Sequence, residues 1–250
     1  MEELFYLTDK IVLKNEKMFY TNNNIKITKN NIKITKNNWH IYLSEYGWEK
    51  IPKPWIIKLN KFTSNKNKNS KYGIYDCEQD GNCFFQCIAN GLNEKYRYDY
   101  LQYNHENIRN LIADSITEDM YENLIKYYRI MKDADDFDEE WDPYSIETID
   151  DFKRQIRQTG HNYWGDYLLL NTIIQILKLN ILILNSNDDV KDYSVYNTLN
   201  DYNPKYDSIF LLFVDNCHFK LIGSFDDNQM ISYFNDKNIP EELINLLNLK

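Results

Sequence analysis

Apolar positions along the chain recur first at helical spacing and later as short β-rich runs. Residues 83–90 form an apolar stretch closed by Gly91, which predicts a short helix with the glycine as its stop. Ile108, Leu111 and Ile112 fall at helical spacing within 105–115, and Leu124, Ile125 and Tyr128 do so within 120–130. Thr148 and Asp151 make a cap-like start for a helix carrying Ile149, Phe152 and Ile156 and ending at Gly160. Asp166 can cap a further helix over 167–177 that is apolar nearly all round and therefore buried. Beyond it, 180–184 reads as a central strand. Residues 208–214 and 217–224 read as two more, joined by the hairpin signature Asp215-Asn216. A terminal helix is expected over 240–249, with a proline at its start and Glu241 and Glu242 in its first turn. Helices first and strands late predict an α+β fold, a small central β-sheet flanked by helices.

The first 66 residues differ from the rest. Residues 24–30 and 31–37 are tandem copies of Asn-Ile-Lys-Ile-Thr-Lys-Asn, each alternating as a half-buried strand would, so a hairpin or a loosely ordered tract fits. The aromatic stretch 39–55 is expected to pack on the main domain, and the Ser-, Asn- and Lys-rich stretch 63–71 reads as a linker. The organisation predicted is an N-terminal extension over 1–66, a main domain over 67–225 that opens with an extended lead-in at 73–77, and a C-terminal tail with a helix over 226–250.

A chain of 250 residues that is 43% hydrophobic and 27% charged is globular and can bury a real core. Its net charge of −9 argues against nucleic acid as a partner, because phosphate recognition needs a basic face, and would favour the encounter of a basic partner. Four cysteines are too few for a disulfide scaffold, and Cys77, Cys83 and Cys87 lack the spacing of a structural zinc site, so no metal is expected. Cys77, Cys87 and Cys217 read as small buried hydrophobes. Nothing resembles a secretion signal or a membrane span, which predicts a cytoplasmic, reducing location with no membrane partner. The acidic run 133–142 reads as a solvated loop. Heavy use of Asn, Ile, Lys and Tyr suggests an A/T-rich genome such as that of a large DNA virus.

The chemistry concentrates in Asp80-Gly81-Asn82-Cys83-Phe84-Phe85. A thiol at a helix N-terminus sits against free backbone N–H groups and the positive end of the helix dipole, which favours its thiolate; the same N–H groups can hold a developing oxyanion. Gly81 is expected at positive φ. His218, in an apolar strand pattern, is the candidate base for Cys83; His40 lies outside the core, His105 reads as an ordinary histidine, and His161, close enough to Trp164 to act at a cleft edge, is expected in a surface role. One nucleophile and one base, far apart in sequence, point to a cysteine hydrolase.

Taken with Tyr163-Trp164-Gly165-Asp166 ahead of the buried helix and His218-Phe219 in the last strand, the Asp80–Phe85 block resembles the OTU (ovarian tumour) family of cysteine deubiquitinases, over roughly residues 70–225. The resemblance implies an OTU-like protease core needing no cofactor, with ubiquitin or ubiquitin-like conjugates as partners. It implies Cys83 as nucleophile forming a thioester, His218 as base, and Asp80 as the residue shaping the turn that points N–H groups at the oxyanion. Trp164 matches an aromatic found near the cleft, the alternative being a tryptophan capping the core. Family members usually carry Asp or Asn two residues after the histidine; here Lys220 stands there, cannot accept a bond from the imidazole Nδ1–H, and would disfavour the imidazolium. The orienting acceptor is then sought among Asp76, Asp215, Asn216 and backbone carbonyls. A catalytically weak or inactive ubiquitin-binding module of the same fold is the alternative; a papain-like peptidase is less favoured, since its motif around the cysteine is absent. Oligomeric state stays open.

Overall fold

The computed structural model describes residues 4–6, 10–15, 17–21, 32–64, 71–95, 102–137, 139–196, 202–226 and 228–249. In chain order these carry β1 (Leu4–Tyr6), β2 (Ile11–Lys14), β3 (Lys17–Tyr20), β4 (Ile32–Lys33), α1 (Trp39–Tyr42), β5 (Trp48–Lys50), α2 (Lys53–Leu59), β6 (Tyr72–Tyr75) and α3 (Cys83–Lys95). There follow α4 (His105–Ser115), α5 (Glu118–Asp133), α6 (Ile149–Arg157), α7 (Tyr167–Leu177), β7 (Leu179–Ser186), β8 (Asp207–Val214), β9 (His218–Phe225), β10 (Met230–Ile231) and α8 (Glu241–Leu247). The fold is α+β, as expected, but the strands are not gathered late: β1 to β6 precede α3, and two of them join the main sheet.

A six-stranded sheet organises the molecule in the order β5-β6-β9-β8-β7, with β10 paired to β9. Only β7 and β8 run parallel; the other pairs are antiparallel. Because strand side chains alternate between faces, Ile181, Ile183, Ile209 and Leu211 join Phe84, Phe85, Ile88, Ile112, Phe152 and Ile173 from the helices α3, α4, α6 and α7 in one core. Leu182, Leu184, Phe210 and Leu212 point the other way, toward Trp55 of α2 and Leu243 and Leu247 of α8. The sheet is thus buried on both faces, which is why its late strands read as continuous apolar runs. The turn between β8 and β9 has Asp215 and Asn216 at positive φ (49° and 57°) and is closed by the Cys217 N–H on the Val214 carbonyl (3.1 Å); Val214 pairs with His218, so three residues and not two lie between the strands.

Four details depart from the pattern. The strand expected to be central, β7, lies at one end of the sheet order, its outer side partly covered by the bond from Tyr196 N–H to the Ile183 carbonyl (2.8 Å). Gly91 does not end α3 but lies inside it, where a Cβ would stand 2.8 Å from Ile209 Cγ2; the glycine lets the helix approach the sheet. Helix α6 ends at Arg157, short of Gly160. Leu111, placed by spacing on the buried face of α4, is 40% exposed, and that face carries Arg109, Ile112 and Ala113 instead.

Residues ahead of 66 take part in the main sheet. β5 pairs with β6, and Trp55 donates its indole N–H to the Asn185 carbonyl (3.0 Å), fixing α2 on the sheet. Strands β1 to β4 form a second sheet, whose Ile11 and Met18, with Ile34 just beyond β4, pack against Trp39, Leu43 and Phe225. The first repeat copy, 24–30, lies outside the described residues, as does most of the stretch expected to be a linker; the second copy supplies β4.

Candidate active site

Cys83 is the first residue of α3, and the turn before it is built by the side chains at 80 and 82. The Asp80 carboxylate accepts the Asn82 backbone N–H (2.9 Å) and the Asn82 side-chain amide (3.0 Å). Partial burial raises the Asp80 carboxyl, but these bonds outweigh it and hold the group below the ordinary aspartate range. Gly81 sits at φ 81°, and a Cβ there would lie 2.4 Å from the Gly160 carbonyl carbon, so both conformation and space demand glycine. The first intrahelical bond runs from Gln86 N–H to Asn82 C=O, which leaves the N–H groups of residues 83–85 without intrahelical acceptors.

Arg109, wholly buried, fastens this turn to the helical layer. Its guanidinium donates to Asn82 Oδ1 (2.9 Å), the Gly81 carbonyl (3.4 Å), the Tyr163 carbonyl (2.9 Å) and the Ile156 carbonyl (3.1 Å), and lies 4.0 Å from the Phe85 ring centroid. Burial lowers its pKa to about 10, which keeps it charged at neutral pH. The sequence reading passed over Arg109; its signal is an arginine sharing a helix face with Ile112 and Ala113.

His218 opens β9 and is buried. It lines, with Cys83, a cleft of about 290 Å³ whose walls include Phe84, Trp164, Tyr196 and Phe219. The Phe219 N–H points at Cys83 Sγ (3.5 Å). Burial pushes the Cys83 thiol above its ordinary value, with the Phe219 N–H partly opposing, so desolvation works against the thiolate that the helix start favours.

The acceptor missing from position 220 comes from Asp76. Its Oδ1 lies 2.8 Å from His218 Nε2 and accepts the Cys77 N–H (3.0 Å), while Oδ2 accepts from Lys220 Nζ (2.9 Å). The bond runs from Nε2, not from Nδ1 as the sequence reading assumed. An ionised carboxylate accepts only, so Nε2 carries a proton, and in the neutral imidazole Nδ1 then keeps its lone pair. Partial burial raises the Asp76 carboxyl, but the bonds from His218 and Lys220 and the lysine charge outweigh it, leaving the group below the ordinary range. Asp215 and Asn216, the other candidates, serve the hairpin turn.

Other expected positions fall into place with two corrections. Trp164 is 37% exposed on the cleft and does not cap the core; exposed His161 lies beside it, with ring centroids 5.5 Å apart. Cys77 and Cys87 are buried with their sulfurs 3.4 Å apart, whereas Cys217, expected to be buried, is exposed on the cleft rim because it lies in the hairpin turn. The acidic run is not wholly a solvated loop. Glu139 turns inward to accept the Trp164 N–H (3.0 Å), and burial raises its carboxyl to about 7. Asp166, which caps α7 through the Leu169 N–H (2.8 Å), is raised by burial to about 6. Among the described residues no group of His, Cys, Asp or Glu could hold a metal ion, and no helix is long and apolar enough to cross a membrane.

A family profile described as OTU-like cysteine protease matches residues 78–219, more than half of the chain. The chain belongs to that family. The matched span of this OTU-like chain runs from just before the Asp80 turn to Phe219, and so takes in both Cys83 and His218; Asp76 and Lys220 lie just outside it. A Tipula iridescent virus protein named as a ubiquitin thioesterase is 24% identical over 152 residues, covering 59% of this chain; the match takes in only 16% of that protein's length. Among solved structures, the chain is similar to an OTU domain in complex with ubiquitin (19% identity, 71% of this chain and 84% of that one, TM-score 0.43). It is also similar to the Hazara virus OTU bound to ubiquitin (12% identity, 92% and 96%, TM-score 0.35).

Proposed function

We propose that the protein is a cysteine isopeptidase that removes ubiquitin or a ubiquitin-like modifier from conjugated proteins through a thioester. The observation that carries this reading is the joint placement of Cys83, its N–H cradle and an Asp76-bonded His218 around one cleft. His218 Nδ1 takes the thiol proton as Sγ attacks the isopeptide carbonyl carbon. The carbonyl oxygen gains negative charge and is held by backbone N–H groups at the start of α3, aimed by the Asp80 and Arg109 anchors. Collapse breaks the C–N bond, and the imidazolium returns the proton to the leaving lysine amine. Water, deprotonated by His218, then hydrolyses the thioester and frees Cys83.

Burial of Cys83 opposes loss of its proton, which calls for a base and gives Asp76 its part: fixing the tautomer that leaves Nδ1 bare. Asp76 also removes the motive for reading the fold as an inactive ubiquitin-binding module, since the position held by Lys220 is not the source of the acceptor. Net charge of −9 would speed encounter with a basic partner. Four free cysteines support a reducing, cytoplasmic setting. Hydrolysis of a ubiquitin C-terminal aminomethylcoumarin amide tests the proposal: turnover by wild type and none by Cys83→Ala is expected, and equal rates for the two would reject it.

A further inference from the structure

Lys220 pairs its ammonium with the Asp76 carboxylate. β6 and β9 are antiparallel with Tyr72 opposite Ser224 and Tyr75 opposite Leu221; one more step of the same register sets Asp76 across from Lys220. Opposite charges facing each other across two strands attract, and here they meet at 2.9 Å. His218 lies two residues earlier on β9, on the same face as Lys220, so the two basic side chains converge on one carboxylate from the same strand. The Lys220 side chain is 15% exposed and that of Asp76 44%. Without the ammonium, Asp76 would be a half-exposed carboxylate at the end of a strand, held by the Cys77 N–H and the imidazole alone, and free to rotate toward water.

We propose that Lys220 is a positioning residue: it locks the Asp76 carboxylate so that Oδ1 faces His218 Nε2. It also balances the Asp76 charge, so carboxylate and ammonium together carry no net charge beside the imidazole. The proton arriving on Nδ1 then makes an imidazolium that pairs with the new thiolate, and both fixed charges stay in place throughout. This deepens the isopeptidase reading and rests on it for the identity of the substrate, but not for the state of the Cys83–His218 pair.

The test is a double-mutant cycle between Lys220→Met and Asp76→Ala. It reads kcat and KM on the ubiquitin coumarin amide, and separately the rate of Cys83 alkylation by iodoacetamide, which needs no ubiquitin. In the wild-type background Lys220→Met lowers both kcat and the alkylation rate about fivefold with KM unchanged, the size expected for one partly exposed ion pair. In the Asp76→Ala background the same substitution changes neither, because the residue it acts through is gone. Lys220→Arg keeps a charged donor and stays close to wild type, and thermal melts followed by circular dichroism separate any loss of fold. The proposal is overturned if Lys220→Met matches wild type in both readouts, or lowers them equally with and without Asp76. Should the cycle appear in alkylation while wild type ignores ubiquitin, the lysine's role stands and the isopeptidase reading falls.

Discussion

Replacing Asp76 by asparagine changes one oxygen to an amide and leaves shape almost untouched, which isolates what the carboxylate does. Asp76 takes three donors: the Cys77 N–H at 3.0 Å and His218 Nε2 at 2.8 Å on Oδ1, and Lys220 Nζ at 2.9 Å on Oδ2. Asparagine offers a single acceptor oxygen, so its NH₂ must confront one set of donors. With the oxygen toward His218, the NH₂ meets the ammonium of Lys220. With the oxygen toward Lys220, the NH₂ meets Nε2, and the imidazole can bond only by moving its proton to Nδ1, which abolishes the base. Either arrangement forfeits one hydrogen bond to a charged group, about 1.5–3 kcal/mol, or about 10- to 150-fold in rate. The Asp76 side chain is 44% exposed, so solvent screening places the loss toward the lower end of that span. Steady-state hydrolysis of the ubiquitin coumarin amide should show the fall in kcat with KM nearly constant, since Asp76 does not line the cleft. Wild-type kcat in Asp76→Asn would refute the claim that this carboxylate orients the base.

Two further outcomes follow from the same geometry. Gly81→Ala places a Cβ 2.4 Å from the Gly160 carbonyl carbon in a backbone at φ 81°, and should cost about 2 kcal/mol or more in denaturant unfolding together with most of the turnover; unchanged stability and rate would show that the turn tolerates a side chain. Burial raises the Glu139 carboxyl to about 7 from the ordinary 4.5, so the fold favours its protonated form. Its contribution to stability is then fully present below pH 4.5 and lost as pH rises to about 7. The melting temperature of Glu139→Gln, which keeps an acceptor for the Trp164 N–H, should fall less than that of wild type across this window. Parallel curves would contradict the burial of that charge.

Much of this was legible because local chemistry and global fold agree. The bounds of α4 follow from its apolar spacing, those of α7 from its apolar run and the Asp166 cap, and the turn between β8 and β9 from Asp215-Asn216. The Asp80–Phe85 block could be read because a positive-φ glycine, a capping pair and a thiol at a helix start each leave a mark in sequence. The orienting carboxylate could be narrowed to candidates but not chosen. Asp76 reaches His218 only through the register of β6 on β9, and a pairing register between segments some 140 residues apart has no local signal. Arg109 was hidden for a related reason: a buried cation is defined by the carbonyls that surround it, and these come from residues 81, 156 and 163. Gly91 misled because a glycine serving close helix–sheet approach looks the same in sequence as one ending a helix.

The central claim is that Cys83 attacks the C-terminal carbonyl of ubiquitin with His218 as its base. Incubation with ubiquitin bearing a C-terminal electrophile, followed by intact-mass and peptide mass spectrometry, tests it most directly. A single adduct mapped to Cys83, absent in Cys83→Ala and much slower in His218→Ala, is the predicted result. An adduct on the exposed Cys217, or formation at equal rates with and without His218, would contradict it.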